Sequence, residues 1–168
     1  MGVKCYGNND ICEQHKDCLL LPDLLRVNGF TIQHFSLVHN VSNDALVIDT
    51  DDGIRILYCT DTRYIPKKVK GVHYAIIECN YNMDDIIEDE INNIFTRSQF
   101  MNHQSIDNCI KYLKAIYNVD LQGIILWHLS SSNIDPNKAQ ERVRKELGFN
   151  NVYIAKKGLG LDLVNSEF

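Results

Sequence analysis

Three polar residues, His39, Asp61 and His128, each follow a stretch whose composition predicts a β-strand. His39 comes after Thr31 to Val38. Asp61 comes after Ile54 to Cys59, in the string Leu57-Tyr58-Cys59-Thr60-Asp61-Thr62. His128 follows Gly123 to Trp127 and opens the loop Leu129-Ser130-Ser131-Ser132-Asn133. Strand ends are where a rigid scaffold offers side chains to solvent. Imidazole nitrogen and carboxylate oxygen are the usual nitrogen and oxygen ligands of zinc, and they suit manganese or iron as well. Taken singly, each residue has a plainer role. A strand-end histidine serves as a hydrogen-bonded surface group, and an aspartate in Thr-Asp-Thr caps a turn. Three at matching strand ends point towards a metal, provided the fold brings them together.

The elements that would position them are readable from periodicity. Lys4 to Tyr6 predicts a short strand stopped by the turn-forming Gly7-Asn8-Asn9-Asp10, and Cys18 to Leu25 predicts a weak helix or loop. Val27-Asn28-Gly29-Phe30 predicts a hairpin turn, because Asn-Gly suits the primed turns. Ala45 to Asp49 and Ile54 to Cys59 form the clearest hairpin, joined by Thr50-Asp51-Asp52-Gly53. Tyr74 to Glu78 and Gly123 to Trp127 are continuous apolar runs of the kind buried on both faces. Helical spacing marks Met83 to Ile94 and, more clearly, Ser105 to Tyr117, where Ile106, Cys109, Ile110, Leu113 and Ile116 recur on one face. Asp135-Pro136 starts a helix that runs to Leu147 and stops at Gly148, and Val152 to Ala155 is a last strand. Hairpins first, then strands alternating with helices, predict an α/β (or α+β) domain over residues 1–168, with a mixed sheet covered by helices on one face.

Composition sets bounds on function. The chain has 168 residues, 45% of them hydrophobic and 23% charged, ordinary values for a globular domain with a real core. No apolar run approaches the roughly 20 residues needed to cross a bilayer, and no secretory signal opens the chain, so no membrane role and a cytoplasmic location are expected. A formal net charge of −5 argues against broad binding to a phosphate backbone while leaving room for a small basic cleft. The basic cluster Lys67, Lys68 and Lys70 reads as a solvated loop. Of the six cysteines, Cys59, Cys79 and Cys109 lie in apolar segments and read as small core residues. Cys12, His15 and Cys18 offer three ligands with no fourth nearby, which does not make a structural zinc motif.

The combination resembles a known superfamily. Leu57 to Thr62 is similar to the segment that carries the metal-bridging aspartate in metallo-β-lactamase-fold hydrolases, and His39 stands where a histidine precedes it. Leu126-Trp127-His128-Leu129-Ser130, with Asn133, resembles the HLS-x-x-N version of the last ligand motif. That version occurs in phage and bacterial nuclease-like members related to the ribonuclease Z branch. Ile76-Ile77-Glu78-Cys79-Asn80-Tyr81 and Asn102-His103-Gln104-Ser105 are similar to two further segments of those members. The resemblance covers nearly the whole chain. It implies a partial αββα sandwich, with His39, Asp61 and His128 as metal ligands for zinc or manganese. It also implies that Glu78 orients His103, which protonates a leaving oxygen, the imidazole having a pKa near neutrality. Ser130, Ser131 and Asn133 would donate hydrogen bonds to a phosphate.

One hallmark is missing. Nothing in the chain matches H-x-H-x-D-H, the motif that by resemblance supplies four of seven ligands to two metals about 3.5–4 Å apart. The resemblance therefore implies the C-terminal portion of the fold, with a partial metal site, weakly held or empty, in the isolated chain. It further implies exposed strand edges and apolar faces that favour a homo-oligomer, a separate N-terminal half as partner, or a first thirty residues re-folded as a cover. Three functions follow as expectations. The first is a hydrolase part active on a nucleic acid or nucleotide phosphodiester once complemented. The second is a non-catalytic interaction module that retains the scaffold. The third is a single-metal enzyme using His39, Asp61 and His128 alone.

Overall fold

A computed structural model describes residues 4–86, 98 and 100–164. Its central element is one seven-stranded sheet whose spatial order equals its chain order. The strands are β3 (Leu24–Val27), β4 (Phe30–Ser36), β5 (Asp44–Thr50), β6 (Arg55–Cys59), β7 (Tyr74–Glu78), β8 (Gly123–Trp127) and β9 (Val152–Ile154). From β3 to β6 neighbours are antiparallel, and from β6 to β9 they are parallel. The chain thus changes from hairpins to crossovers at β6, where Asp61 follows. The turn between β3 and β4 is the predicted one: Asn28 and Gly29 both take positive φ, 46° and 83°, which a primed turn requires and few residues tolerate.

Between the parallel strands lie α2 (Ile106–Ile116), which leads from the β7 side into β8, and α3 (Pro136–Leu147), between β8 and β9. Ser105 caps α2 by accepting from the Asn108 amide, and Asp135 caps α3 by accepting from the Asn137 and Lys138 amides. Both helices pack on the same face of the sheet. Val47, Leu57, Ile77, Ile124 and Leu126 from the strands form a single core with Cys109, Leu113 and Val143 from the helices. Cys59, Cys79 and Cys109 are fully buried there, as their apolar neighbourhoods predict. On the opposite face Ile48, Ile56, Tyr74 and Ile76 make a smaller cluster.

Two expectations for the first thirty residues need correcting. The turn at Gly7 to Asp10 instead opens a helix, α1 (Asn9–Gln14), because the Asn8 side chain accepts from the Ile11 amide and caps it. Cys18 to Leu25 contains no helix. Its first part is strand β2 (Cys18–Leu20), which pairs in parallel with β1 (Cys5–Gly7), and its end enters β3. Of the helix predicted from Met83 to Ile94, the described part holds one 3-10 turn, Met83–Asp85, ended by the extended Ile86, and residues 87–94 lie outside the described residues.

Candidate metal and catalytic site

Backbone geometry marks the site before any side chain is considered. Among the described residues three non-glycine positions have positive φ: Asn28 in its hairpin turn, Asp61 at 53° and His128 at 55°. The left-handed region disfavours side chains with a Cβ, and such strain persists where surrounding structure enforces it, often at functional sites. Here the enforcing groups are two asparagines. The Asn43 side-chain amide donates to the carbonyls of Thr60 (2.6 Å) and Asp61 (2.9 Å), and the Asn80 amide donates to the His128 carbonyl (2.8 Å). Each strand thereby ends in a sharp turn that presents its polar side chain at the same edge of the sheet.

Glu78, the last residue of β7, is fully buried and is the hub of that edge. The Thr62 amide donates to its Oε2 at 2.6 Å, while His103 Nδ1 and His128 Nδ1 lie 2.7 and 2.9 Å from its Oε1. A carboxylate can be held without solvent when several donors satisfy its oxygens. Asp61 Oδ1 lies 3.4 Å from His128 Nδ1 and 3.8 Å from His103 Nδ1. The hydrogen bond to Glu78 raises the His103 pKa above 6.5, partial burial opposes that, and the charges of Glu78 and Asp61 add to the rise.

His103 reaches the edge through backbone pairing. The Asn80 amide donates to the Gln104 carbonyl, the Ile106 amide donates to the Tyr81 carbonyl (both 2.9 Å), and Tyr81 bridges Ser105 in parallel. The segment before α2 is thus zipped onto the end of β7.

The sequence-derived candidates distribute as follows. Asp61, Glu78, His103 and His128 offer ligand atoms that all lie within 4.8 Å of one another, a group able to hold a metal ion. His39 stands beside them, with its ring centroid 5.3 Å from that of His103. Its Nε2 is buried without a hydrogen-bond partner, while its Nδ1 accepts weakly from the Val41 amide at 3.4 Å. A buried imidazole nitrogen with no partner is costly, and coordination to a cation would satisfy it. Together with the oxygen and nitrogen donors beside it, that orphan fits a divalent ion. Ser130 and Ser131 lie on the loop after His128, lining a cleft of about 610 Å³ with Trp127, Pro136, Asn137 and Lys156. Asn133 is buried, and its carbonyl accepts from the Asn82 amide.

Sequence reasoning missed the residues that build this edge. Thr62 is fully buried: its amide serves Glu78, and its hydroxyl donates to the Tyr64 carbonyl at 2.8 Å. Asn43 and Asn80 hold the two strained turns. Asn80 and Thr62 stood inside recognisable strings, yet nothing in a string shows which backbone group an amide will meet.

No family model matches the chain, and no curated protein matches it by sequence. Solved structures do. The metallo-β-lactamase-fold protein YhfI from Bacillus subtilis matches 92% of this chain with a TM-score of 0.69 and 21% identity. An isothiocyanate hydrolase from Delia radicum gut bacteria matches 95% of it with a TM-score of 0.66 and 13% identity. The short form of human tRNase Z matches 84% with a TM-score of 0.51 and 14% identity. The chain spans 61% of YhfI, 67% of the isothiocyanate hydrolase and 49% of the human tRNase Z. It therefore has the metallo-β-lactamase fold over the portion that it shares with these structures.

Proposed function

We propose that this chain is the C-terminal part of a metal-dependent phosphodiesterase acting on a nucleic acid or nucleotide, and that its activity needs a further polypeptide segment. The observation that carries this reading is the clustering of Asp61, Glu78, His103 and His128 within 4.8 Å at one sheet edge, with the buried, unpartnered Nε2 of His39 beside them. In this reading His39, Asp61 and His128 hold zinc or manganese. When bound, such an ion supplies Lewis acidity towards a phosphoryl oxygen and makes water more acidic. Glu78 has its oxygens occupied by three donors, so it orients rather than ligates. By accepting from Nδ1 of both histidines it fixes their tautomers and leaves each Nε2 as the working atom. His103, charged more readily than a free histidine, gives a proton to the leaving oxygen. Ser130 and Ser131 donate hydrogen bonds to the phosphate from their exposed loop.

The need for a further segment is supported by two features. The chain spans 61% of YhfI, and the sheet face opposite the helices leaves Trp127 39% exposed. A segment bearing H-x-H-x-D-H, packed on that face, would complete both the ligands and the core. The same open face favours a second reading, an interaction module without catalysis, to which a partner or a second copy binds.

The test combines metal analysis with hydrolysis of bis(p-nitrophenyl) phosphate, by the chain alone and mixed with an H-x-H-x-D-H segment from a relative of the same fold. Expected are substoichiometric metal and negligible turnover alone, with turnover appearing on complementation and abolished by His128→Ala. Turnover by the chain alone with one equivalent of metal, lost on Asp61→Asn, would replace complementation with the single-metal enzyme. Absence of metal and of turnover in every mixture, with tight binding of the added segment, would leave the interaction module.

A further inference from the structure

The first seventeen described residues, 4–20, make a strand–helix–strand unit in which Cys18 is the one buried side chain. Three thiols meet there. The parallel register of β1 and β2 places Cys5 directly opposite Cys18, with their sulfurs 3.6 Å apart. Cys12, on α1, also contacts Cys18 through its thiol and has its sulfur 3.6 Å from the Gly7 carbonyl. Gly7 leaves the room for this packing: a Cβ there would meet Cys18 Sγ at 3.1 Å and Ile11 Cγ2 at 2.7 Å. Cys5 is exposed, Cys12 half-buried and Cys18 buried, and all three are free thiols.

Disulfide geometry is demanding, and the register of this pair brings its sulfurs to 3.6 Å, near the distance needed. Neighbouring strands lie about 4.7–4.9 Å apart, inside the Cα separation of roughly 4.4–6.8 Å that a disulfide spans. The two sulfurs must close by about 1.5 Å to reach bonding distance. Cys79 and Cys109 supply the contrast. They too are hydrogen-bonded neighbours, yet both are completely buried in the core where no reagent reaches them.

We propose that Cys5 and Cys18 form a reversible thiol–disulfide site that reacts with low-molecular-weight disulfides. The deprotonated Cys5 sulfur attacks one sulfur of the small disulfide, whose S–S bond breaks and releases one small thiol. The Cys18 sulfur, deprotonated in turn, attacks Cys5 in the resulting mixed disulfide and expels the second small thiol. Two protein thiols lose two electrons, the small disulfide gains them, and the two thiol protons end on the two small thiols. The product ties β1 to β2 and encloses residues 6–17, a unit with almost no apolar core of its own. This inference is independent of the hydrolase reading, since none of its residues belongs to the metal edge.

The test treats the reduced full chain with glutathione disulfide, blocks remaining thiols by alkylation, and maps peptides without reduction. Free thiols in the denatured chain are expected to fall from six to four, with Cys5 joined to Cys18. Cys12→Ser keeps that cross-link, and Cys5→Ser, a change at an exposed position, loses it. In the oxidised native chain, tryptic cleavage after Lys16 slows, and dithiothreitol restores the original rate. A Cys12–Cys18 cross-link as the main product would overturn the proposal. So would a lasting glutathione adduct on Cys5, or an unchanged count of six thiols.

Discussion

The two faces of the sheet are built from alternate residues of the same strands, yet they reach different ends. On the helix side, Leu57, Ile77, Ile124 and Leu126 are fully buried and pack with Leu113 and Val143. On the other side, Ile76, Ile125 and Trp127 share a groove of about 490 Å³ with Leu159, Leu161 and Leu163 from the segment that follows β9. That segment is anchored by mutual hydrogen bonds between the Tyr74 hydroxyl and the Val164 backbone, at 3.2 and 3.4 Å. Leu159 and Leu163 remain more than a third exposed, so the cover is thin. A strand run that is apolar on both faces specifies two packing partners. The described residues supply one of them fully and the other in part.

Truncation separates the faces most sharply. Leu113→Ala removes a fully buried side chain from the helix side and is expected to cost about 3 kcal/mol, within the range for cavity-forming leucine substitutions. Trp127→Ala removes a larger side chain from the open side, where less burial is lost. It is expected to cost about 1 kcal/mol, and to weaken self-association at high protein concentration. Urea unfolding gives both energies, and sedimentation velocity gives the association. Equal costs at the two positions would show that the open face is as well packed as the covered one.

A third substitution probes the border between core and site. Gln104 is fully buried beside His103, and both polar atoms of its side chain lack a partner. Leaving a buried amide unsatisfied is expensive, while an apolar group of the same shape restores the balance. Gln104→Met is therefore expected to stabilise the chain by about 1 kcal/mol, read again by urea unfolding. A loss of stability would mean that the amide is satisfied in solution and that the site edge is wetter than its geometry implies.

These contrasts explain what a reader of the sequence can and cannot see. The helix-covered half is legible because its signals are local: Tyr74–Glu78 and Gly123–Trp127 are unbroken apolar runs, and α2 and α3 carry their caps in sequence. His128 and Asp61 are legible as polar residues at strand ends. What stays hidden depends on distant partners. β2 forms because Cys18 to Leu20 meets a strand thirteen residues earlier, with little apolar pattern of its own. The resemblance pairs Glu78 with one histidine, whereas its carboxylate lies within hydrogen-bonding distance of two and of the Thr62 amide, contacts spanning 16 to 50 positions in the chain. The strained φ of Asp61 and His128 arises from Asn43 and Asn80, whose importance lies wholly in which carbonyls they reach.

The smallest effect expected lies on the outside of the covered face, where Lys114 of α2 reaches Glu146 of α3 across 2.6 Å. The hydrogen bond from Lys114 and its charge hold the Glu146 carboxyl below its ordinary 4.5. A carboxylate whose pKa is depressed on folding adds stability above its unfolded pKa and loses that contribution as pH falls through the folded value. The window thus lies below about pH 4.5, and near neutrality the pair contributes its full, small amount. Both partners are exposed, so salt and side-chain entropy erode the attraction. Glu146→Gln is expected to leave neutral-pH stability nearly unchanged at moderate salt, and a carboxyl NMR titration should place Glu146 below 4.5. A large loss of stability at pH 7 would mean that the helix layer depends on this bridge, making the covered face less self-sufficient than its packing implies.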